Sequence, residues 1–369
     1  MIKVKVPPLK ISFSNGDIVE IISDMEEVLK SSCLTLGEKT HRFENEFARM
    51  HQRRFAVAVN SGTTALEIFL RAREVESKTV IVPTNTNYAT AAAVLFAGGI
   101  LKLVDGELFP SLKMLRETVN SNTAGIIIVH IGGYLSEELE AIRIFCKENN
   151  LFLLEDAAHA HGASLSDKMA GSFGDAAAFS FFPTKVITSG EGGMLVMNDE
   201  DLYQKALIFR DQGKDASKKN ILLGNSWRMS EFEAVVGFHQ LKRLKEYVKR
   251  RNEIMKRYNA YLSGLHGIEF CGTSKNITPS GYKYIIKLKS EEMRNKIKSE
   301  LADKYNISAG GGVYDVPIHQ QPIFRGRFAG NIFPRAEEFC STHLCLPIWS
   351  TMKDEEVDYV IGCLTKMLI

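Results

Sequence analysis

At 369 residues the chain is too long for one small core and predicts two domains, or a large domain with a smaller partner. Its 45% hydrophobic and 24% charged residues are those of an ordinary globular protein. The net charge of +2 gives no reason to expect nucleic acid or an anionic membrane as a partner. Cys33, Cys146, Cys271, Cys340, Cys345 and Cys363 are scattered, with no C-x-x-C pair. That pattern favours reduced thiols in a cytoplasmic protein over disulfides or a zinc site. The opening residues, Met1 to Val6, lack the apolar core of a signal peptide. Residues 79–101 carry no charge, but Pro83, Asn85, Asn87 and the Gly98-Gly99 pair argue against a membrane span.

In chain order, the first fifty or so residues read as helical, with Phe43, Phe47 and Met50 at helical spacing. Short β-rich runs follow at 55–59, 80–82, 100–104, 126–130, 151–154, 176–181 and 194–197. Several are nearly continuous apolar runs, as parallel strands covered on both faces require. The segments between them, such as 136–149 with Leu139, Ile142, Phe145 and Cys146 on one face, read as amphipathic helices. The alternation predicts an α/β fold, a three-layer sandwich around a mostly parallel seven-stranded sheet.

Beyond residue 230 the character changes. Residues 231–262 predict one long helix or a broken pair, its Lys and Arg run a solvated face. A strand at 283–288, a helix at 291–305 and a Gly310-Gly311-Gly312 loop follow. The expected boundary lies near residue 245, giving a large domain, 1–245, and a smaller α+β domain, 246–369.

Chemistry concentrates in a few places. Phe179-Ser180-Phe181-Phe182-Pro183-Thr184-Lys185, followed by Gly190-Glu191-Gly192-Gly193, sets a lysine in a loop between two apolar strands. An ammonium among apolar walls loses hydration and its pKa falls, so the free amine can attack an aldehyde. A Schiff-base lysine needs that, and pyridoxal phosphate is its commonest partner. Asn60-Ser61-Gly62-Thr63-Thr64 runs from a strand into a helix, where unpaired N–H groups and the dipole favour a phosphate. The same residues also read as a plain N-cap. Glu155-Asp156-Ala157-Ala158-His159-Ala160-His161 closes a strand with a carboxylate able to hold a pyridine nitrogen protonated, and His159 can bond the ring's phenolic oxygen. Asp156, His159 and His161 also have the types of metal ligands, but no fourth ligand cluster accompanies them, and no metal is expected. Tyr314-Asp315-Val316-Pro317-Ile318-His319-Gln320-Gln321 suits polyol recognition and equally suits a surface loop.

The order of these motifs, with Leu34-Thr35-Leu36-Gly37, Asn225-Ser226-Trp227-Arg228-Met229-Ser230 and Leu344-Cys345-Leu346-Pro347-Ile348, resembles the DegT/DnrJ/EryC1/StrS sugar aminotransferases over essentially the whole chain. These belong to the fold-type I, aspartate aminotransferase-like pyridoxal phosphate enzymes. The resemblance implies that Lys185 carries the cofactor, Asp156 pairs with its ring nitrogen and His159 lies beside the ring. It implies phosphate contacts from Gly62, Thr63 and Ser180, and a sugar pocket lined by Tyr314 and His319, with Arg228 also at the substrate. It further implies a homodimer with shared sites, an amino-acid donor (L-glutamate) and a nucleotide-linked keto-sugar acceptor. Two departures stand out. Asn87, with Tyr88 beside it, occupies the place of an aromatic that stacks on the ring. Asn225 and Ser226 share the place of an asparagine that reaches the neighbouring subunit's phosphate. A deoxysugar dehydratase would carry histidine in place of Lys185. A cofactor-binding sensor without turnover, and a cyclitol or keto-sugar acid as acceptor, stay open as alternatives.

Overall fold

The computed structural model describes residues 6–271, 274–310 and 312–368. The opening Met1 to Lys5 and Gly311 of the expected glycine loop lie outside them. The chain begins with α1 (Asn15–Ser31) and α2 (Glu38–Met50), then alternates through β1 (Phe55–Val59), α3 (Gly62–Ala72), β2 (Thr79–Pro83), α4 (Tyr88–Phe96), β3 (Ile100–Val104), α5 (Leu112–Thr118), β4 (Thr123–Val129), α6 (Leu139–Glu148) and β5 (Phe152–Asp156). Two short strands, β6 (Ser164–Leu165) and β7 (Lys168–Met169), precede β8 (Ala176–Ser180), β9 (Gly193–Met197) and α7 (Glu200–Arg210).

The central sheet has seven strands in the order β1-β9-β8-β5-β4-β2-β3. β9 runs antiparallel to both neighbours, and every other pairing is parallel. Side chains on a strand alternate between faces. Ala56, Ala58, Ile126, Ile128, Phe179 and Val196 pack on one side with Phe43, Phe47, Leu139, Ile142 and Phe238. Val57, Val59, Ile127, Val129, Ala178 and Leu195 pack on the other with Leu66, Phe69, Leu202 and Phe209. Both faces of the inner strands are covered, so they are largely apolar, whereas the edge strand β3 exposes Ile100 and Lys102.

The long helix is a single one, α8 (Glu231–Leu262), opened by a capping box in which Ser230 and Glu233 satisfy each other's backbone N–H. Its Phe238, Leu241, Leu244 and Val248 belong to the sheet core, whereas Ile254, Met255, Tyr258 and Leu262 belong to a second core. That core surrounds a three-stranded sheet, β10 (Ile268–Phe270), β12 (Tyr284–Leu288) and β13 (His343–Leu346), ordered β10-β12-β13, with α9 (Glu291–Tyr305) and α12 (Asp354–Leu368) against it. Between them β11 (Ile277–Thr278) pairs with β6. The side chains of α8 thus change cores after Val248. The later chain does not stay with the second core. Ile318, Phe324 of α10 (Pro322–Arg325), Phe333 and Ala336 of α11 (Pro334–Thr342) return to the large-sheet core.

The C-terminal ends of β1, β2, β4, β5 and β8 share one edge of the sheet, because all five run in the same direction. In open α/β sheets ligands bind outside this edge. Among the described residues no helix is long and apolar enough to cross a membrane.

Candidate active site

β1 hands over to α3 through Ser61, whose Oγ accepts the N–H of Thr64 at 3.1 Å, while Thr64 Oγ1 donates to Asn60 Oδ1 at 2.7 Å. The side-chain cap leaves the earlier first-turn N–H groups without intrahelical carbonyls. Gly62 opens the helix hard against the end of β8. A Cβ there would stand 2.8 Å from Ser180 Cβ. Gly62, Thr63 and Ser180 therefore face one another across a narrow polar corner.

Asp156, the last residue of β5, is 6% exposed. Its Oδ2 accepts the hydroxyl of Thr90 at 2.7 Å and its Oδ1 the N–H of Ala158 at 3.2 Å. Three residues on, His159 Nδ1 accepts the N–H of Gly132 at 3.3 Å. Burial, reinforced by the positive charges of Lys185 and Lys283, pushes the imidazole well below its ordinary pKa. It is then neutral, and with Nδ1 accepting, its proton sits on Nε2. The ring stacks on Tyr282 at 4.3 Å between centroids and lies nearly parallel to Tyr314 at 5.9 Å.

Lys185 sits in the turn after β8, its N–H bonded to Phe182 O at 3.0 Å. Loss of hydration lowers the pKa of its amine. Tyr282 and Asp156 oppose that shift, and the like charge of Lys283 adds to it. Lys185, Asp156, His159, Gly62, Thr63, Ser180, Asn87 and Tyr314 all line one cavity of about 310 Å³, at the lower end of the roughly 300–1,000 Å³ of small-molecule sites.

This donor set fits pyridoxal phosphate. A helix start with hydroxyls and small residues suits the phosphate, a carboxylate at the cavity floor suits a protonated ring nitrogen, and a desolvated lysine suits the aldehyde. Gly62 supplies the closeness that this corner needs, since any side chain would fill it.

Of the other expected residues, only Asn87 shares the cavity lining. His319 is not at the cavity: it is 6% exposed, with Nδ1 bonded to Thr84 Oγ1 at 2.8 Å and Nε2 to Glu337 Oε1 at 2.9 Å. Both ring nitrogens are used in tying α11 to the end of β2. Asn87 lines the cavity as the N-cap of α4, its Oδ1 accepting the N–H of Ala89 at 3.0 Å. Tyr88 points away, half-exposed, with its ring 6.0 Å from that of Phe324. Arg228 pairs with Asp211 and donates to Ser226 Oγ at 2.6 Å, and Asn225 Oδ1 accepts the N–H of Ser226. Arg228, Asn225 and Ser226 are all outside the cavity lining. His161 parts company with His159, its imidazole buried beside Phe179 and Phe181. Among the described residues no group of three or more His, Cys, Asp or Glu could hold a metal ion.

Sequence reasoning missed Thr90 and Tyr282. Thr90 carried a faint signal, a hydroxyl four residues after Thr86 at a helix start, and the two hydroxyls are 2.9 Å apart. Tyr282 carried none, because it arrives from the segment before β12, remote in sequence, to pack with the large-sheet core.

The model of the DegT/DnrJ/EryC1/StrS aminotransferase family matches residues 16–365. The spore coat polysaccharide biosynthesis protein SpsC of Bacillus subtilis is 33% identical, over 93% of this chain and 92% of its own. GDP-perosamine synthase of Escherichia coli O157:H7 is 31% identical, over 91% and 92%. The crystal structure of S. venezuelae DesV in complex with a ketimine intermediate superposes with a TM-score of 0.93 at 29% identity, covering 99% of this chain and 98% of that one. The chain belongs to the DegT/DnrJ/EryC1/StrS aminotransferase family and is a pyridoxal-phosphate-dependent sugar aminotransferase.

Proposed function

We propose that the protein transfers an amino group from an amino acid, L-glutamate by family analogy, to a keto-sugar linked to a nucleotide. The observation that carries this reading is the meeting of Lys185, Asp156 and His159 with the Gly62–Thr63–Ser180 corner in one cavity. The named activity of GDP-perosamine synthase supports a nucleotide-linked acceptor.

Bound there, pyridoxal phosphate supplies an aldehyde that carries nitrogen and a ring that accepts electrons. Gly62, Thr63 and Ser180 would hold its phosphate, Asp156 its ring nitrogen and Lys185 its aldehyde carbon. Lys185 Nζ, as free amine, takes the proton from the donor's α-carbon, and in the second half-reaction returns one to the sugar carbon that gains nitrogen. His159 keeps its single N–H on Nε2 and stays uncharged, so it can donate without competing for that proton. Tyr314 closes the substrate side. Two half-reactions at one site require ping-pong kinetics.

The protein would act as a homodimer with shared sites, with no nucleic-acid or membrane partner. Phe182, Leu34 and Ile221 to Leu223 expose apolar side chains, Leu223 at 90%. Asn225 or Ser226, outside its own cavity, would serve the partner subunit's phosphate. The six cysteines are all free thiols, which suits the cytoplasm.

Borohydride reduction of the holoenzyme followed by peptide mapping tests the reading. Fixation of the cofactor on Lys185, with loss of the bound pyridoxal absorbance on adding glutamate and its return with a nucleotide-linked keto-sugar, is expected. Fixation elsewhere, or binding without a glutamate response, overturns it.

A further inference from the structure

The segment from Ser280 to Lys283, leading into β12, is stitched to the large-sheet side of the cavity. Ser280 N–H donates to Gly133 O at 3.0 Å and Lys283 N–H to Gly132 O at 3.1 Å. Ser280 Oγ donates to His159 O at 2.6 Å and accepts the N–H of Tyr282 at 3.1 Å. From α8, Asn252 donates to Pro279 O and Arg251 to Gly281 O. A backbone tied at so many points leaves the Tyr282 side chain little freedom, and the residue is buried.

Several polar or aromatic groups flank its ring. His159 stacks on it at 4.3 Å and 25°. Lys185 Nζ lies 5.2 Å from its centroid, and Lys283 Nζ lies 5.1 Å from it. The phenol oxygen is 3.2 Å from Thr184 Oγ1, on the residue next to Lys185. An ammonium within about 6 Å of a ring centroid is drawn to the ring's negative face. An aliphatic side chain would fill the same space without that attraction.

We propose that Tyr282 is a positioning residue for the reaction at Lys185, its ring being the surface on which the lysine's ammonium rests and against which the His159 imidazole is aligned. The inference rests on the reading of Lys185 as the cofactor lysine. It makes the segment leading into β12 a contributor to the chemistry: when Lys185 is released during turnover, the Tyr282 ring keeps Nζ near the reacting carbon. Lys283, on the same ring, is a second cation competing for it. The other ionisable groups around Nζ are Asp156, His159, His161 and Glu191.

The test uses the cofactor-free protein. Brief acylation with acetic anhydride across a pH series, read as acetylated Lys185 peptide by mass spectrometry, gives a midpoint for the Lys185 amine. Removing an attractive ring should move that midpoint down by roughly half a unit in Tyr282→Leu. Tyr282→Phe keeps the ring and should leave it near the wild-type value, while Lys283→Met removes a repulsion and should move it up. A merely loosened site would drift towards the ordinary lysine value, upwards, in every variant. An upward or absent shift in Tyr282→Leu, or a Tyr282→Phe protein that behaves like Tyr282→Leu, overturns the proposal. In the holoenzyme, kcat should fall about tenfold or more in Tyr282→Leu with KM for donor little changed, and Tyr282→Phe should restore it. Borohydride mapping of the same proteins separates the two claims. No cofactor on Lys185 in the wild type removes the parent reading. Cofactor on Lys185 with unmoved midpoints removes Tyr282 alone.

Discussion

Thr90 donates its hydroxyl proton to Asp156 Oδ2 across 2.7 Å, joining the first turn of α4 to the end of β5 over 66 positions of sequence. Thr86 stands 2.9 Å behind it, oxygen to oxygen, and Ala158 N–H occupies the other carboxylate oxygen at 3.2 Å. The carboxylate is thereby fixed in plane before any ligand arrives, and a fixed carboxylate does not spend binding energy on ordering itself.

Thr90→Val keeps the shape and removes the donor. Asp156 should then rotate, and kcat should fall about tenfold, the scale of losing a positioning hydrogen bond to a charged group. Thr90→Ser should recover most of the loss. Steady-state kinetics with melting temperatures decide the matter, since unchanged kcat in Thr90→Val would leave Thr90 a packing residue.

Much of the fold was legible because its signals are local. Continuous apolar runs marked β1, β4, β5, β8 and β9, and both faces of these strands are covered. The helical patterns over 231–262 and 291–305 held as α8 and α9, which open at Ser230 and Ser290 caps. The cavity was legible where its residues follow strand ends, as Asp156, Ser180 and Gly62 do. Long-range pairing was not. His319 reads as a surface-loop histidine, yet Thr84 and Glu337 take both its nitrogens, partners 235 and 18 positions away. Nothing in a one-dimensional pattern announces such a clamp, nor the arrival of Tyr282 beneath His159.

Glu155, the neighbour of Asp156, points to the opposite face and is fully buried. It accepts the N–H groups of Gly171, Phe173 and Gly174, each at 2.7 Å, and His130 Nε2 at 2.8 Å, with Arg53 Nη2 3.8 Å away. Burial alone would raise its pKa, but His130, those amides and Arg53 hold it below the usual glutamate value. A carboxyl group with a depressed folded pKa stabilises the fold above its unfolded value and loses that contribution as the pH falls through the folded one. Glu155→Gln would turn an NH₂ towards amide donors. We expect a loss of about 3 kcal/mol, measured by urea unfolding at neutral pH. A change under 1 kcal/mol would mean that the network repacks.

His51 makes a second pH-dependent contribution of opposite chemistry but the same direction. It stacks on Phe47 at 4.1 Å, and burial pushes its pKa down to about 4. His343, stacked on Phe339, is likewise pushed down to about 4. The unfolded chain takes up these protons near pH 6.5, before the folded one does, so stability falls as pH drops from about 6.5 to 4, by at most about 3 kcal/mol per residue. His51→Phe retains a stacked ring and cannot titrate. Its melting temperature should therefore depend less on pH across that window than the wild type's, even if overpacking costs about 1 kcal/mol at neutral pH. Parallel curves would assign the acid sensitivity to other groups.

The corner at Gly62 should respond more in binding than in stability. A methyl at this position would meet Ser180 Cβ at 2.8 Å and Phe179 O at 3.2 Å, so the start of α3 must retreat from the end of β8 by some tenths of an ångström. The backbone there needs no positive φ, so alanine is conformationally acceptable and the cost is steric, on the order of 1–3 kcal/mol. If the proposed phosphate site lies between the helix-start amides and Ser180, such a shift should weaken it, because charge-assisted hydrogen bonds weaken as they lengthen. Gly62→Ala should lower the affinity for pyridoxal phosphate at least tenfold while leaving the protein folded, whereas affinity for pyridoxal without its phosphate should change little. Equilibrium dialysis with both ligands makes the comparison. Equal losses for the two would move the phosphate away from this corner and place the aldehyde end of the cofactor nearer to α3.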